Sequence, residues 1–407
     1  MKFHVARQPI FTQNLQAYGY ELLYRRMDTE NYFNPLATPN GDEATSSVII
    51  NSFHNIGLDK LTGGKKAFVN FTGNFLAQQI ATLFPRDALV VEILESVVAS
   101  KDVIERCMEL KRLGYTLALD DYVMLPENVD LLPLADIVKV DFMQSGEEEI
   151  ARMCRVVRPT THLLAEKIET REMYETAVKM GFRLFQGYFF AKPKIISGEA
   201  PRPISVHSLE LLRLVNKPDF SFRRVAQVIM RDVSLSYQLL RLVNSVVFGF
   251  TTEIRTIHHA LVALGQNEVR KWVSLVSMMG MSEDQPRELH RISLTRAKFC
   301  EQLGSTNGQV DSCDVFMAGL FSLIDVMMNR SFEEIFFSIS ASEELRATFV
   351  EGTGIYRPYI DVVIAYERGD WEKVDELAVG LGMHADGIAD AYTQALQWTN
   401  ELIPPGG

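Results

Sequence analysis

Almost every short apolar run in the first half of this sequence is followed by a charged or amide side chain. Glu21 lies in YGYELLYR, Asn70 ends AFVNF, and Glu92 stands inside VVEIL. Asp120 and Asp121 end TLALDD, Lys139 and Asp141 end IVKVD, Glu166 ends LLAE, and Gln186 follows RLF. One such residue is ordinarily a satisfied strand-end group. Six carboxylates gathered at one mouth cannot all ionise uncompensated, because close like charges raise each other's pKa. A divalent cation resolves the conflict. Oxygen ligands with neither His nor Cys among them favour Mg²⁺ or Mn²⁺ over zinc. Adjacent aspartates suit a pair of ions acting on a phosphoester. On spacing alone two readings stay open: a metal–phosphoester site, or plain strand-end polarity.

The elements that must position these groups can be read from the same stretch. β-rich runs fall at 2–6, 66–71, 89–94, 116–120, 137–140, 163–166, 183–185 and 188–190. Amphipathic stretches such as 103–113 and 171–180 lie between them, each stopped by a glycine, Gly114 and Gly181. Strands alternating with helices make a parallel sheet. Their number favours a closed α/β barrel of the TIM type, whose function collects at the C-terminal ends of the strands.

Residues 191–206, AKPKIISGEAPRPISV, read as a linker, since they hold three prolines and a glycine and show no periodicity. Beyond them the β signal fades. Ser221 and Ser234 are expected to cap helices at 222–231 and 235–247, and Thr256 one at 257–264 that stops at Gly265. The division expected is a barrel domain over 1–198 and an all-α domain over 199–407.

Composition limits the partners. Of the 407 residues 47% are hydrophobic and 23% charged, which excludes disorder and fibre and allows large cores. The net charge of −11 argues against nucleic-acid polymers or anionic membranes held by charge alone. That charge is uneven: residues 331–407 carry a net −10, read as a solvated helical surface. Cys107, Cys154, Cys300 and Cys313 form no CxxC or zinc spacing, which with the lack of a signal-like N-terminal run points to a cytoplasmic location. The apolar stretch 315–328 contains Asp325 and is too short to span a bilayer.

In order along residues 1–195, RQPI (7–10), YELLYR (20–25), FVNF (68–71), VVEILES (90–96), ALDDY (118–122), DIVKVD (136–141), AEKIET (165–170) and QGYFFAKP (186–193) resemble the EAL domain, whose members hydrolyse cyclic di-GMP. The resemblance implies a barrel, with metal ligands at Glu21, Asn70, Glu92, Asp120 and Asp121. It implies Lys139 beside the attacking water, Glu166 as general base, and Asp141 and Gln186 in support. Arg25 would hold a phosphate and Gln8 would face a guanine. Two departures stand out. The glycine-rich loop that follows DD in the family reads YVMLPENVDLLP here, which leaves Glu95 without the loop its counterpart anchors. Lys167 stands where the family has glycine. The family often dimerises through that altered loop, so a homodimer would need another interface.

The second half resembles the HDOD domain through SLSYQLLRLVNSVVFG (234–249), TIHHALVALGQNEVRKWVSL (256–275) and GLFSLIDVMM (319–328). HD hydrolases need a His-Asp pair, and the sequence has none. His258 and His259 read as surface or packing residues, and Asn244 as a backbone-bonding residue at a helix junction. Such a domain would bind a signalling partner and not catalyse. Three readings follow: a weak or conditional cyclic di-GMP phosphodiesterase, a receptor for the same dinucleotide, and a scaffold with neither activity.

Overall fold

Alternate residues of a strand face the same side of a sheet, so a closed barrel fills its interior in layers. The computed structural model follows this rule. It describes residues 3–26, 57–187, 206–244, 254–281, 286–328 and 330–403. Eight strands close in sequential order: β1 (Phe3–Thr12), β2 (Ala17–Arg26), β3 (Lys66–Phe71), β4 (Leu89–Ile93), β5 (Thr116–Leu119), β6 (Ile137–Asp141), β7 (His162–Glu166) and β8 (Leu184–Gln186). β2 through β8 run parallel, while β1 is antiparallel to both its neighbours, β2 and β8. The opening hairpin therefore supplies two full strands, longer than the 2–6 expected. The expected strand at 188–190 and the linker at 191–205 lie outside the described residues.

A buried apolar layer plugs the barrel. Ile10, Phe68, Val90, Ala118, Ile137, Leu164 and Leu184 each come from a different strand. The expected helices form between the strands. The helix Lys101–Leu113 starts at Ser100, which accepts from the Val103 amide, and ends at Gly114 with φ 89°. The helix Arg171–Lys179 is capped by Thr170.

Two compact units divide the chain: Met1–Lys192 together with Ile364–Gly407, and Pro193–Val363. The boundary expected at 198/199 assigns 364–407 to the helical half, whereas these residues are compact with the barrel. In that return segment Tyr366 is fully buried. Its ring meets His4 of β1 edge-on at 5.6 Å between centroids and Trp371 at 5.2 Å. The Asn400 amide donates to the Lys60 carbonyl at 2.7 Å.

Among the described residues the other unit has helices and no strand. The helix after Phe222–Ile229 spans Val233–Val243, and its cap is Asp232, not Ser234. Asp232 prevails because its carboxylate accepts from both Ser234 and Leu235 amides. Asn244 bridges the junction as expected, donating to the Leu240 and Ile254 carbonyls and accepting from the Ile254 amide at 2.8–2.9 Å. Gly265, at φ 78° and ψ 170°, ends the helix that starts at Ile257, as expected, and a second helix runs on from it to Met281. His258 and His259 are exposed.

Candidate metal centre

Each member of the apolar layer has a polar residue two positions along its strand. Phe68 leads to Asn70, Val90 to Glu92, Ala118 to Asp120, Ile137 to Lys139, Leu164 to Glu166 and Leu184 to Gln186. On β1, which runs the other way, Ile10 stands two residues after Gln8. On β2 the position below Glu21 is Gly19, where a Cβ would stand 2.6 Å from the Lys66 carbonyl oxygen. The strand period thus lifts eight polar side chains into one ring above the plug. Register agrees for two neighbouring pairs: Gln8 lies opposite Glu21, and Asn70 opposite Glu92.

The ring closes on Lys139. Its ammonium lies 2.8 Å from Asp120, 2.9 Å from Glu166 and 3.4 Å from Glu21, and it also pairs with Glu92. Gln186 Nε2 donates to Glu21 Oε2 at 2.6 Å and to Gln8 Oε1 at 3.0 Å. Gln8 in turn donates to the Glu367 carbonyl at 3.3 Å. Beyond the ring, Asp141 accepts from the Met143 and Gln144 amides through Oδ1, while Oδ2 pairs with Lys167. Arg25 pairs with His4 in the strand register, and its side chain lies outside the described residues.

One ammonium cannot satisfy four acids, three of them buried and Asp120 part-buried. Burial alone would lower the Lys139 pKa, but the carboxylates, Glu166 foremost, hold it well above the ordinary range. Burial also opposes ionisation of Asp120, yet Lys139 more than offsets it and the pKa falls. Glu92 and Glu166 carry the excess. Burial, only partly offset by Lys139, pushes both well above the usual carboxylate range.

Buried oxygens remain without hydrogen-bond partners: Asn70 Oδ1, Glu92 Oε2, Asp121 Oδ1, Glu166 Oε2 and Gln186 Oε1. Unsatisfied buried acceptors are costly and need a reason. A hard cation would answer those that converge, and oxygen-only donors are what Mg²⁺ or Mn²⁺ prefers. Ligand atoms of Asp120, Asp121 and Glu166 lie within 4.8 Å of one another, close enough to share an ion.

Two features escaped sequence reasoning. The loop after Asp121 lacks glycine but is still folded tightly, because Asn128 Oδ1 accepts from the Leu125 amide and its Nδ2 donates to the Val123 carbonyl. An Asn flanked by turn residues was the available signal. Glu95 is exposed, while the Ala99 amide donates to Glu127 of that loop. The second is the return of residues 364–407 onto β1, for which the sequence carried no signal beyond helical amphipathicity.

Comparison with known proteins identifies the families of both halves. The EAL domain family matches residues 55–193, and the HDOD domain family matches residues 203–351. YuxH of Bacillus subtilis, an uncharacterized protein, is 37% identical over 412 residues, covering 99% of both chains. The cyclic di-GMP phosphodiesterase CdgJ of Vibrio cholerae is 32% identical over 406 residues, 98% of this chain and 93% of CdgJ. A standalone EAL protein from Vibrio cholerae O395, solved bound to cyclic di-GMP, is 24% identical with a TM-score of 0.37, covering 47% of this chain and 92% of that one. No helix among the described residues is long and apolar enough to cross a membrane.

Proposed function

We propose that this chain, which belongs to the family joining an EAL domain to an HDOD domain, is a cyclic di-GMP signalling protein whose barrel binds the dinucleotide through Mg²⁺ or Mn²⁺ and hydrolyses it weakly or conditionally. The observation that carries this reading is the group of unpartnered oxygens around Asp120, Asp121 and Glu166 at the C-terminal ends of the strands. Glu21, Asn70, Glu92, Asp120 and Asp121 are the proposed metal ligands. Bound there, the ion would polarise a phosphodiester oxygen and lower the pKa of a water.

The chain's own groups have distinct tasks. Glu166 is the proposed general base: Oε1 is held by Lys139, and Oε2, free of any partner, can take a proton from water. Lys139 gathers the acids and orients the attacking water. Gln186 fixes the Glu21 carboxylate by its 2.6 Å hydrogen bond, and Asp141 locks the turn at Met143. Gln8, linked to Gln186, is the proposed guanine contact, and Arg25 the phosphate contact. The HDOD unit is the proposed docking domain for a signalling partner, in the cytoplasm.

A receptor that binds without turnover is the second reading. Lys167 favours it, because its ammonium pairs with Asp141 and lies 3.5 Å from Asp121. Chromatography of cyclic di-GMP incubated with the protein and Mn²⁺ separates the two. Linear product, lost in Glu21→Ala, supports the hydrolase. Binding without product supports the receptor, and turnover undiminished in Glu21→Ala overturns the ligand assignment.

A further inference from the structure

Lys167 occupies an unusual backbone position for its type. Its φ is 53°, in the left-handed region that favours glycine, and Asp121 across the mouth is similarly strained at φ 37°. The segment has no freedom to relax. The Ile168 amide donates to the Gln186 carbonyl at 3.0 Å, and Gly187 approaches so closely that a Cβ there would stand 2.2 Å from the Ile168 carbonyl oxygen. A long cationic side chain is thus held at a fixed point just beyond Glu166, aimed at two aspartates.

Both aspartates are affected. The inner one, Asp141, has both oxygens engaged, one by two backbone amides and one by Lys167. Asp121 has Oδ2 3.5 Å from the Lys167 ammonium, while Oδ1 is unpartnered. Deeper in the mouth, Glu92 Oε2 and Glu166 Oε2 are also unpartnered, on residues at most 6% exposed. The demand for a cation is therefore split. One part is met by a positive charge built into the chain, and the other is not.

We infer that Lys167 takes the charge role of a second divalent ion beside Asp121 and Asp141, so that the barrel binds one divalent ion per chain where two adjacent aspartates would otherwise hold a pair. This rests on the proposed metal-binding function and refines it. Lys167 is a positioning residue: it touches the aspartates and need not touch substrate. A singly loaded site would turn substrate over weakly, since the second ion's stabilisation of the leaving oxygen would be replaced by a single-charged ammonium.

The test is a calorimetric titration of the full-length protein with Mn²⁺ alone, cross-checked by electron paramagnetic resonance of free Mn²⁺. The native chain is expected to take one ion, and Lys167→Gly and Lys167→Met two. Lys167→Gly keeps the fold because glycine suits φ 53°, and Lys167→Met removes the charge while keeping the bulk. Two ions on the native chain, or one ion on both variants, overturns the role of Lys167 and leaves metal binding intact. No ion on the native chain overturns this inference together with the metal-binding function beneath it.

Discussion

Lys139 and Glu166 stand 2.9 Å apart above the barrel plug, with side-chain exposures of 1% and 9%, and the same ammonium is shared with Glu21, Glu92 and Asp120. Removing it strands four acids in low dielectric. Lys139→Met is expected to lower stability by about 3–5 kcal/mol in chelator, the range for breaking a buried ion pair. Millimolar Mn²⁺ should recover most of that loss by binding the folded state alone. Urea denaturation in both conditions reads the difference. Stability of native chain and variant alike unmoved by Mn²⁺ contradicts a metal centre at this ring.

Glu92 is fully buried, pairs with Lys139 through one oxygen, and has no partner for the other. Its charge serves binding at the expense of folding. Glu92→Gln should therefore weaken Mn²⁺ affinity at least tenfold, while metal-free stability stays the same or rises by about 1 kcal/mol. Calorimetry and thermal melting measure the two effects separately. A variant that loses stability in chelator and keeps its affinity shows Glu92 to be a structural acid.

Asp325 gives the helical unit a pH dependence of its own. Burial raises its carboxyl to about 6, the Val326 and Asp325 backbone amides and then Arg296 offset it only in part, and Oδ1 has no hydrogen-bond partner. The folded state thus holds this proton more tightly than the unfolded chain. The stability it contributes is complete below the unfolded carboxyl pKa of 3.8 and is lost as pH rises through about 6. Asp325→Asn should gain about 3 kcal/mol at pH 8 and about 0.5 kcal/mol at pH 4. Denaturation of both proteins at the two pH values checks the sign. A gain that is larger at pH 4 contradicts it.

The return of residues 364–407 makes the barrel depend on the far end of the chain. Tyr366→Ala removes a fully buried ring from between His4, Trp371 and Tyr392, which should cost about 3–5 kcal/mol. The loss should also loosen β1 and, through Glu367 and Gln8, the Gln186 contact. Hydrogen exchange at the β1 amides reports it. Protection of β1 unchanged in a folded Tyr366→Ala protein contradicts this coupling.

The ring of site residues was legible because strand ends are written locally. An apolar run followed by Asn70, Glu92 or Glu166 gives both the element and the direction its last side chain faces. Order along the chain then gives neighbours around the barrel, since sequential parallel strands pair. Lys167 was visible as an exchange of residue, but its pairing with Asp141 depends on a positive φ and on Gly187 pressing against Ile168. Asn128 replaces glycine's backbone freedom with side-chain hydrogen bonds, which composition cannot reveal. The acidic side chains of residues 331–407 are largely solvated, as read, but periodicity shows only that a helix has an apolar face and not which partner covers it. Tyr366 and Trp371 cover β1 across nearly the whole chain length.

The most direct measurement is calorimetric binding of cyclic di-GMP to the full-length protein in Ca²⁺, which in EAL domains supports binding while suppressing cleavage, with Glu21→Ala and a chelated sample alongside. The expected result is one dinucleotide per chain in Ca²⁺, with binding lost both in chelator and in the Glu21→Ala protein. Binding of equal strength in all three samples, or in none, contradicts a dinucleotide held through a metal at the barrel mouth.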